Sequence, residues 1–245
     1  MPATRSGEYA WFRMLDGDAP TSPETAGVFP LTLWTEVVRA TVSDPQKAAT
    51  ALAKLCEIYR TPIINWFRRS GLSAADAEEQ CQRFLVRHFG GERLHHFERR
   101  ETRFRGWLVT CLKRQLIDFD RSNPPLTEPL DGRDFPAPTN EESIGVDGDV
   151  AKVIHRHSLE AIRSTWSKKA PLFDELVQFL LADPEGGEYR SVGERMGLRP
   201  SQIKRAVFEL RHDYSVAFHR EVRQICLPGE DEEEMRYLLK LVPRT

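Results

Sequence analysis

The chain has 245 residues, enough for one or two domains, and its 40% hydrophobic and 29% charged residues are typical of a helix-rich protein with real cores. No stretch approaches the ~18 uninterrupted apolar residues of a membrane span, and the N-terminus lacks the basic-then-apolar order of a secretory signal. The four cysteines are scattered, without the spacing of a zinc site. We therefore expect a cytoplasmic protein with reduced cysteines and without membrane insertion.

The first third of the chain predicts an arm followed by helices. Residues 1–28 are rich in Gly, Pro, Ser, Thr and Ala and are expected to form a flexible N-terminal arm. Helical periodicity then follows, with a break between helices expected at Pro62, a helix end at Gly71 and an N-cap at Ser73. A further helix is predicted from Phe104 to Asp120. Residues 29–121 are thus expected to form one helical domain.

The middle of the chain predicts a linker. Residues 122–148 contain five prolines, an excess of acidic residues and little periodicity. Such a composition cannot bury enough apolar surface to fold alone, which predicts an acidic flexible linker. Helical periodicity resumes at Asp149, so residues 149–228 are expected to form a second helical domain, followed by a C-terminal extension at 229–245. The predicted fold class is all-α, with two helical domains joined by this linker.

Within the second domain, Tyr189 to Tyr214 predicts two helices joined by a tight turn at Gly197, and the second helix is expected to continue to Ile225. Pro200 suits the first turn of the second helix, where no backbone N–H is missed. Polar and basic side chains between its apolar positions are of the kind that contact base edges and phosphates in a DNA major groove. The predicted DNA contacts are Arg199, Ser201, Gln202, Lys204, Arg205, Arg211 and His212. An αα-hairpin with a solvated basic face is the alternative interpretation.

Charge supports binding to nucleic acid although the net charge is only −2. Residues 99–121 contain seven basic and three acidic residues, and residues 199–223 contain six basic and three acidic residues. Between them, residues 126–149 hold seven acids and one cation. Two basic regions divided by an acidic segment are typical of nucleic-acid binding, although their charges nearly cancel in the net charge. In the first region arginines interleave with aromatic residues, as needed to hold an unpaired strand, although Trp107 at helical spacing also suits a core.

Catalysis and metal binding find no support in the sequence. No Gly-rich phosphate loop, nucleophile elbow or HExxH motif is present. The pairs His95-His96 and His155/His157 lack cysteine or carboxylate partners at ligand spacing. We therefore expect no enzyme activity, no metal and no cofactor.

Four segments in order resemble RNA polymerase sigma factors of the extracytoplasmic-function group, and the resemblance covers residues 29–242. They are the opening FPLTLW at 29–34, common in a long subtype with a C-terminal extension, the helix DAEEQCQRF at 76–84, the segment FRGWL with Leu112-Lys113, Asp118 and Arg121, and the helix-turn-helix. The sequence departs from the family pattern at Gln80-Cys81, at Arg114 in place of the usual Asn, and at Asp213 in place of a usual basic residue.

The resemblance implies an alternative sigma factor that directs core RNA polymerase to promoters and helps to open them. Contacts with the clamp helices of the β′ subunit would come from Asp76, Glu78, Glu79, Gln82 and Arg83. The −10 element would be bound by Arg99, Arg100, Arg103, Arg105, Lys113, Arg114 and Arg121. For the last three, which are close on one helix, a solvated face is the alternative. The β flap and an inhibitory partner such as an anti-sigma protein are further implied contacts.

Two other interpretations stay open. A stand-alone helix-turn-helix regulator or DNA-binding adaptor would explain the second basic region, but it does not need the helix at 76–84. A DNA-processing enzyme would need a carboxylate or nucleophile cluster, which the sequence lacks. The acidic linker would thread towards the polymerase channel, cover the basic faces of the free protein, or act as a plain tether.

Overall fold

In a computed structural model, the described residues are 45–89, 104–122, 140–182, 184, 187–226 and 229–243. Every regular element within these ranges is helical, which confirms the all-α prediction. The predicted arm at 1–28 and the loop that precedes Phe104 lie outside the described residues. The described helices belong to one compact unit, residues 31–245, and the division into two domains stays a prediction.

The helices are numbered α1 to α8 along the described part of the chain. Short 3₁₀ segments at Ser167–Lys169 and Val177–Phe179 lie on either side of α5. The bounds are α1 Pro45–Arg69, α2 Ala74–Phe89, α3 Phe104–Ser122, α4 Asn140–Thr165, α5 Ala170–Leu176, α6 Glu188–Met196, α7 Pro200–Ile225 and α8 Asp231–Leu241.

Helix α1 is continuous, so the break expected at Pro62 is wrong. Proline removes one backbone hydrogen bond and costs about 3 kcal/mol inside a helix. The helix persists because the turns around Pro62 are buried, including Ile58, Tyr59, Ile63 and Phe67 at 2% exposure or less. Each such side chain contributes about 1.5–3 kcal/mol on burial, which outweighs the lost bond.

The corner between α1 and α2 follows the predicted local signals. Gly71 adopts a positive φ of 99°, and the N–H of Leu72 donates to the carbonyl of Phe67 over 3.1 Å. Ser73 then caps α2, since its Oγ accepts a hydrogen bond from the N–H of Asp76 at 3.1 Å and its hydroxyl donates to the Asp76 carboxylate at 2.6 Å. This reciprocal capping fixes where α2 begins.

Helix α4 is the centre of the compact unit. It packs against α1 and α3 from the first half of the chain and against α7 and α8 from the second half. It begins at Asn140, so residues 140–148, which we assigned to the flexible linker, are helical. Val146, Val150 and Ile154 are fully buried at helical spacing, and this burial stabilises a segment whose own composition does not favour folding.

Candidate nucleic-acid interface

The turn between α6 and α7 is held by two glycines and two backbone hydrogen bonds. Gly197 ends α6 at φ 66°, as predicted, and its N–H and that of Leu198 both donate to the carbonyl of Gly193. A Cβ on Gly193 would lie 2.5 Å from the carbonyl oxygen of Leu198, a distance that side chains do not tolerate. The absence of a side chain at Gly193 therefore allows the backbone of the turn at Leu198 to pack closely against α6.

The N-terminus of α7 is capped by its own third residue. The N–H of Arg199 donates to Oε1 of Gln202 over 2.9 Å, and Pro200 occupies the first helical position. This bond satisfies a backbone donor just ahead of the helix. It also fixes the side chain of Gln202 at the exposed end of α7, with its amide NH₂ group directed away from the bond that Oε1 accepts.

The first turns of α7 present a polar and cationic surface, which we call the α7 face: Ser201, Gln202, Lys204, Arg205, Phe208 and His212, all exposed. The opposite side of the helix carries Ile203, Val207 and Leu210, which are buried. Arg205 is oriented along the helix because its Nε donates to Oε1 of Glu209 over 2.9 Å. Five of the seven predicted contacts of the second basic region, all except Arg199 and Arg211, thus lie together on one helix surface.

Arg211 does not belong to this surface, and its assignment as a DNA contact is corrected. Its residue surface is only 8% exposed. Nε and Nη2 donate to the carbonyl of Phe179 at 3.0 and 2.7 Å, and Nη2 also donates to that of Ala182 at 2.7 Å. The guanidinium satisfies carbonyls at the end of the 3₁₀ segment that follows α5. Its position four residues after buried Val207 is the sequence signal that would have placed it inward.

Helix α2 carries a second exposed, charged surface, the α2 face: Glu79, Gln82 and Arg83. Arg83 forms an ion pair with Glu79 at 2.6 Å, one turn apart. The other two predicted core-polymerase contacts, Asp76 and Glu78, are partly buried. Asp76 is bonded in the α2 cap, and Glu78 pairs with Arg60 of α1 at 2.5 Å.

The residues predicted to bind the −10 element are only partly described. Arg99, Arg100 and Arg103, together with the side chain of Arg105, lie outside the described residues. Arg114 and Arg121 are exposed on α3, seven positions apart on one side of the helix. Lys113 is 9% exposed, so it faces the interior and is withdrawn from the exposed basic set.

Two departures from the family pattern are explained by interior contacts. Gln80 and Cys81 are buried on the inner side of α2, where Gln80 accepts hydrogen bonds from Nε2 of Gln115 of α3. Asp213 accepts a hydrogen bond from Nε1 of Trp166 over 2.9 Å. These unusual residues therefore serve packing between helices, while Arg114 is exposed.

The thiols are poorly suited to nucleophilic chemistry. All four cysteines are free, as expected, and burial raises the pKa of Cys81 and of Cys226 to about 12. Burial also raises the pKa of Cys56 and of Cys111. The thiolate is the nucleophilic form, and at neutral pH these groups are thiols.

Across the described ranges, no three His, Cys, Asp or Glu side chains converge on a position that could hold a metal ion. His155 is instead bonded through Nδ1 to the hydroxyl of Tyr214 at 2.7 Å. None of the helices in the described part of the chain combines the length and apolar character that crossing a membrane requires.

Fold and site together define an all-helical protein with an exposed polar and basic helix behind a tight glycine turn. Comparison with models of known protein families, with curated proteins and with solved structures found no match to this chain. The assignment of function therefore depends on the sequence motifs and on the geometry described above.

Proposed function

We propose that this protein is an alternative sigma factor that directs core RNA polymerase to specific promoters and assists promoter opening. The observation that carries the proposal is the α7 face, where polar and cationic side chains project from the first turns of a helix held behind a tight turn. Such a helix suits the major groove, where its N-terminal residues contact base edges. The sigma-like motifs, which follow one another in the expected order within residues 29–121, are the reason to propose core polymerase as a second partner besides DNA.

The α7 face would read the −35 element. Lys204 and Arg205 are cations on a fully exposed surface, and each is suited to bind phosphate or guanine. The Oε1 of Gln202 is engaged in the cap of α7, and its NH₂ group can donate to an acceptor on a base edge or to a phosphate. Contacts of this kind release counterions, so the binding should weaken as salt rises.

The α2 face would contact the clamp helices of the β′ subunit. Its two charges of opposite sign, Glu79 and Arg83, are exposed and pair with each other across one helical turn. Because an exposed pair is worth little to folding, its exchange for contacts with a partner costs little stability. Gln80 and Cys81, where the sequence departs from the sigma-factor pattern, are buried and do not belong to the α2 face.

Exposed cations on α3 would contact the −10 region. Arg114 and Arg121 are exposed on one side of α3, and unstacking of base steps costs a few kcal/mol each. Contacts to the separated strand offset that cost. An inhibitory partner, such as an anti-sigma protein, would act by covering the α2 or α7 face.

The test is pull-down of core polymerase by the full chain, followed by run-off transcription from start sites mapped after overexpression. We expect recovery of β′ and specific transcripts only when the chain is added. Arg83→Glu should lower the recovery of β′. Lys54→Glu, a matched charge reversal at an exposed position of α1, should not. Failure to recover core polymerase or to direct any transcript would overturn the proposal.

The second candidate is a stand-alone helix-turn-helix regulator or DNA-binding adaptor. It is favoured by the exposure of the α7 face in the free chain, which needs no partner to become accessible. The same experiment separates the two. A regulator binds a specific duplex without core polymerase, and Arg83→Glu leaves its function intact.

A further inference from the structure

Phe208 is a large apolar side chain placed on the surface of α7. Its residue surface is 56% exposed. It is the ninth residue of the helix, which puts it about 12 Å from the first residue at 1.5 Å per residue. Phe208 follows Lys204 by four positions and Arg205 by three, so the three side chains lie side by side on the helix surface.

The rest of the helix keeps Phe208 outward. Its neighbours Val207 and Leu210 are 2% and 0% exposed and form the side that packs into the core. A rotation of α7 that buried Phe208 would expose those residues. Glu209, next to Phe208 in the sequence, pairs with Arg205 at 2.9 Å along the same part of the helix.

The surroundings of Phe208 favour DNA over a protein partner. Lys204 and Arg205 precede it on the same side, and exposed His212 follows it by one turn. Val216, the next large apolar side chain exposed on α7, lies two turns beyond Phe208. Protein-binding surfaces usually join apolar residues into a contiguous patch. The Phe208 ring instead lies alone beside cations, which suits a negatively charged groove that exposes a single apolar group.

The major groove of DNA has such a group. The C5-methyl of thymine is its apolar feature and packs against side chains such as Phe, and the groove is about 12 Å wide and about 8.5 Å deep. We propose that the Phe208 ring packs on a thymine C5-methyl while Lys204 and Arg205 hold the flanking phosphates or base edges. This inference rests on the proposed function of α7 as the DNA-reading helix.

The experiment removes the methyl group and the ring separately. A duplex is first selected from a random library by the full chain, alone and with core polymerase. Each thymidine is then replaced by deoxyuridine, which lacks only the C5-methyl. Wild type should lose about fourfold in affinity at one or two positions, the amount expected for one buried methyl group. Phe208→Ala should bind the thymidine duplex more weakly and lose sensitivity at those positions.

Two further variants keep the test decisive. Phe208→Leu retains an apolar side chain and should keep part of the discrimination. Val216→Ala removes an exposed apolar side chain from the same helix and should leave the deoxyuridine profile of wild type. If Phe208→Ala keeps that profile, or if no thymine position is sensitive, the inference is overturned. If wild type selects no sequence in either condition, the proposed function fails as well.

Discussion

Arg69 and Asp149, eighty positions apart, join α1 to the central helix α4: Nη1 of Arg69 donates to Oδ2 of Asp149 over 2.6 Å. The Asp149 side chain is 5% exposed and that of Arg69 is 47% exposed. A buried carboxylate needs a partner, because desolvation of an isolated charge is costly. Lys152, one turn along α4, is the second cation near Asp149, at 3.3 Å.

Arg69→Ala should therefore lower the free energy of unfolding by about 1–2 kcal/mol, less than the 3–5 kcal/mol of a fully buried pair, since Arg69 is half exposed. Urea denaturation measures the change. Arg83→Ala, which breaks a pair with Glu79 that is exposed on both sides, is the matched control and should cost less than about 1 kcal/mol. Equal effects in the two variants would contradict this account of Asp149.

Gly193→Ala should disrupt the turn between α6 and α7. The new Cβ would lie 2.5 Å from the carbonyl oxygen of Leu198, so the backbone of the turn must shift away from α6, at a cost of about 1–3 kcal/mol. Gly148→Ala is the control, because nothing lies within 4 Å of its Cβ on helix α4. That change should stabilise by up to about 1 kcal/mol. Thermal unfolding distinguishes the two, and a neutral Gly193→Ala would show that the close approach is not required.

Arg211→Ala should destabilise the fold without acting on DNA directly. It leaves the buried carbonyls of Phe179 and Ala182 without their guanidinium donor, a loss of about 2–3 kcal/mol. Arg211→Lys retains a charge but lacks the planar fork and should restore only part of the stability. Chemical denaturation measures both variants. A folded, fully stable Arg211→Ala with weaker DNA binding would restore Arg211 to the interface.

Arg205→Ala should have the opposite profile. Its ion pair with Glu209 is exposed, so stability should change by less than about 0.5 kcal/mol. On the selected sequence, binding should weaken by about 1–3 kcal/mol and preference should relax at one position. Arg220→Ala, an exposed cation farther along α7, should leave that preference intact. An equal loss on random DNA would identify Arg205 as a phosphate contact.

Stability should fall on mild acidification because of His155. Burial lowers the pKa of His155 below its ordinary value of 6.5, so the unfolded chain binds the proton more readily than the folded chain. The contribution is present above about pH 6.5 and is lost as pH falls through the folded pKa. His155→Gln should flatten the slope of unfolding free energy against pH between pH 7 and about pH 5. A slope unchanged from wild type in His155→Gln would contradict this account of the buried imidazole.

Several elements could be predicted from the sequence because short-range bonds determine them. The cap at Ser73 and the turns at Gly71 and Gly197 depend on neighbours within a few positions, and the structure confirms them. The extent of α7 to Ile225 was also predicted correctly, since apolar residues repeat at helical spacing along its length.

Other elements could not be predicted because distant parts of the chain decide them. Residues 140–148 resemble a linker by composition, yet distant helices supply what this segment lacks. Tyr237 of α8 donates to Asp147 over 2.7 Å, and Arg69 of α1 bonds Asp149, the residue that follows the segment. Pro62 resembles a helix break, but burial of the turns around it keeps α1 continuous.

The candidate interface shows the same division. By itself, the sequence determined that the chain is helical, that a tight turn precedes α7 and that cations concentrate there. Only the tertiary structure decided which cations face outward. Arg205 and Arg211 are the same residue type on one helix, but carbonyls at the end of a distant 3₁₀ segment bind Arg211. Helical spacing places a side chain on one side of its own helix, while long-range packing determines whether that side meets solvent or a neighbour.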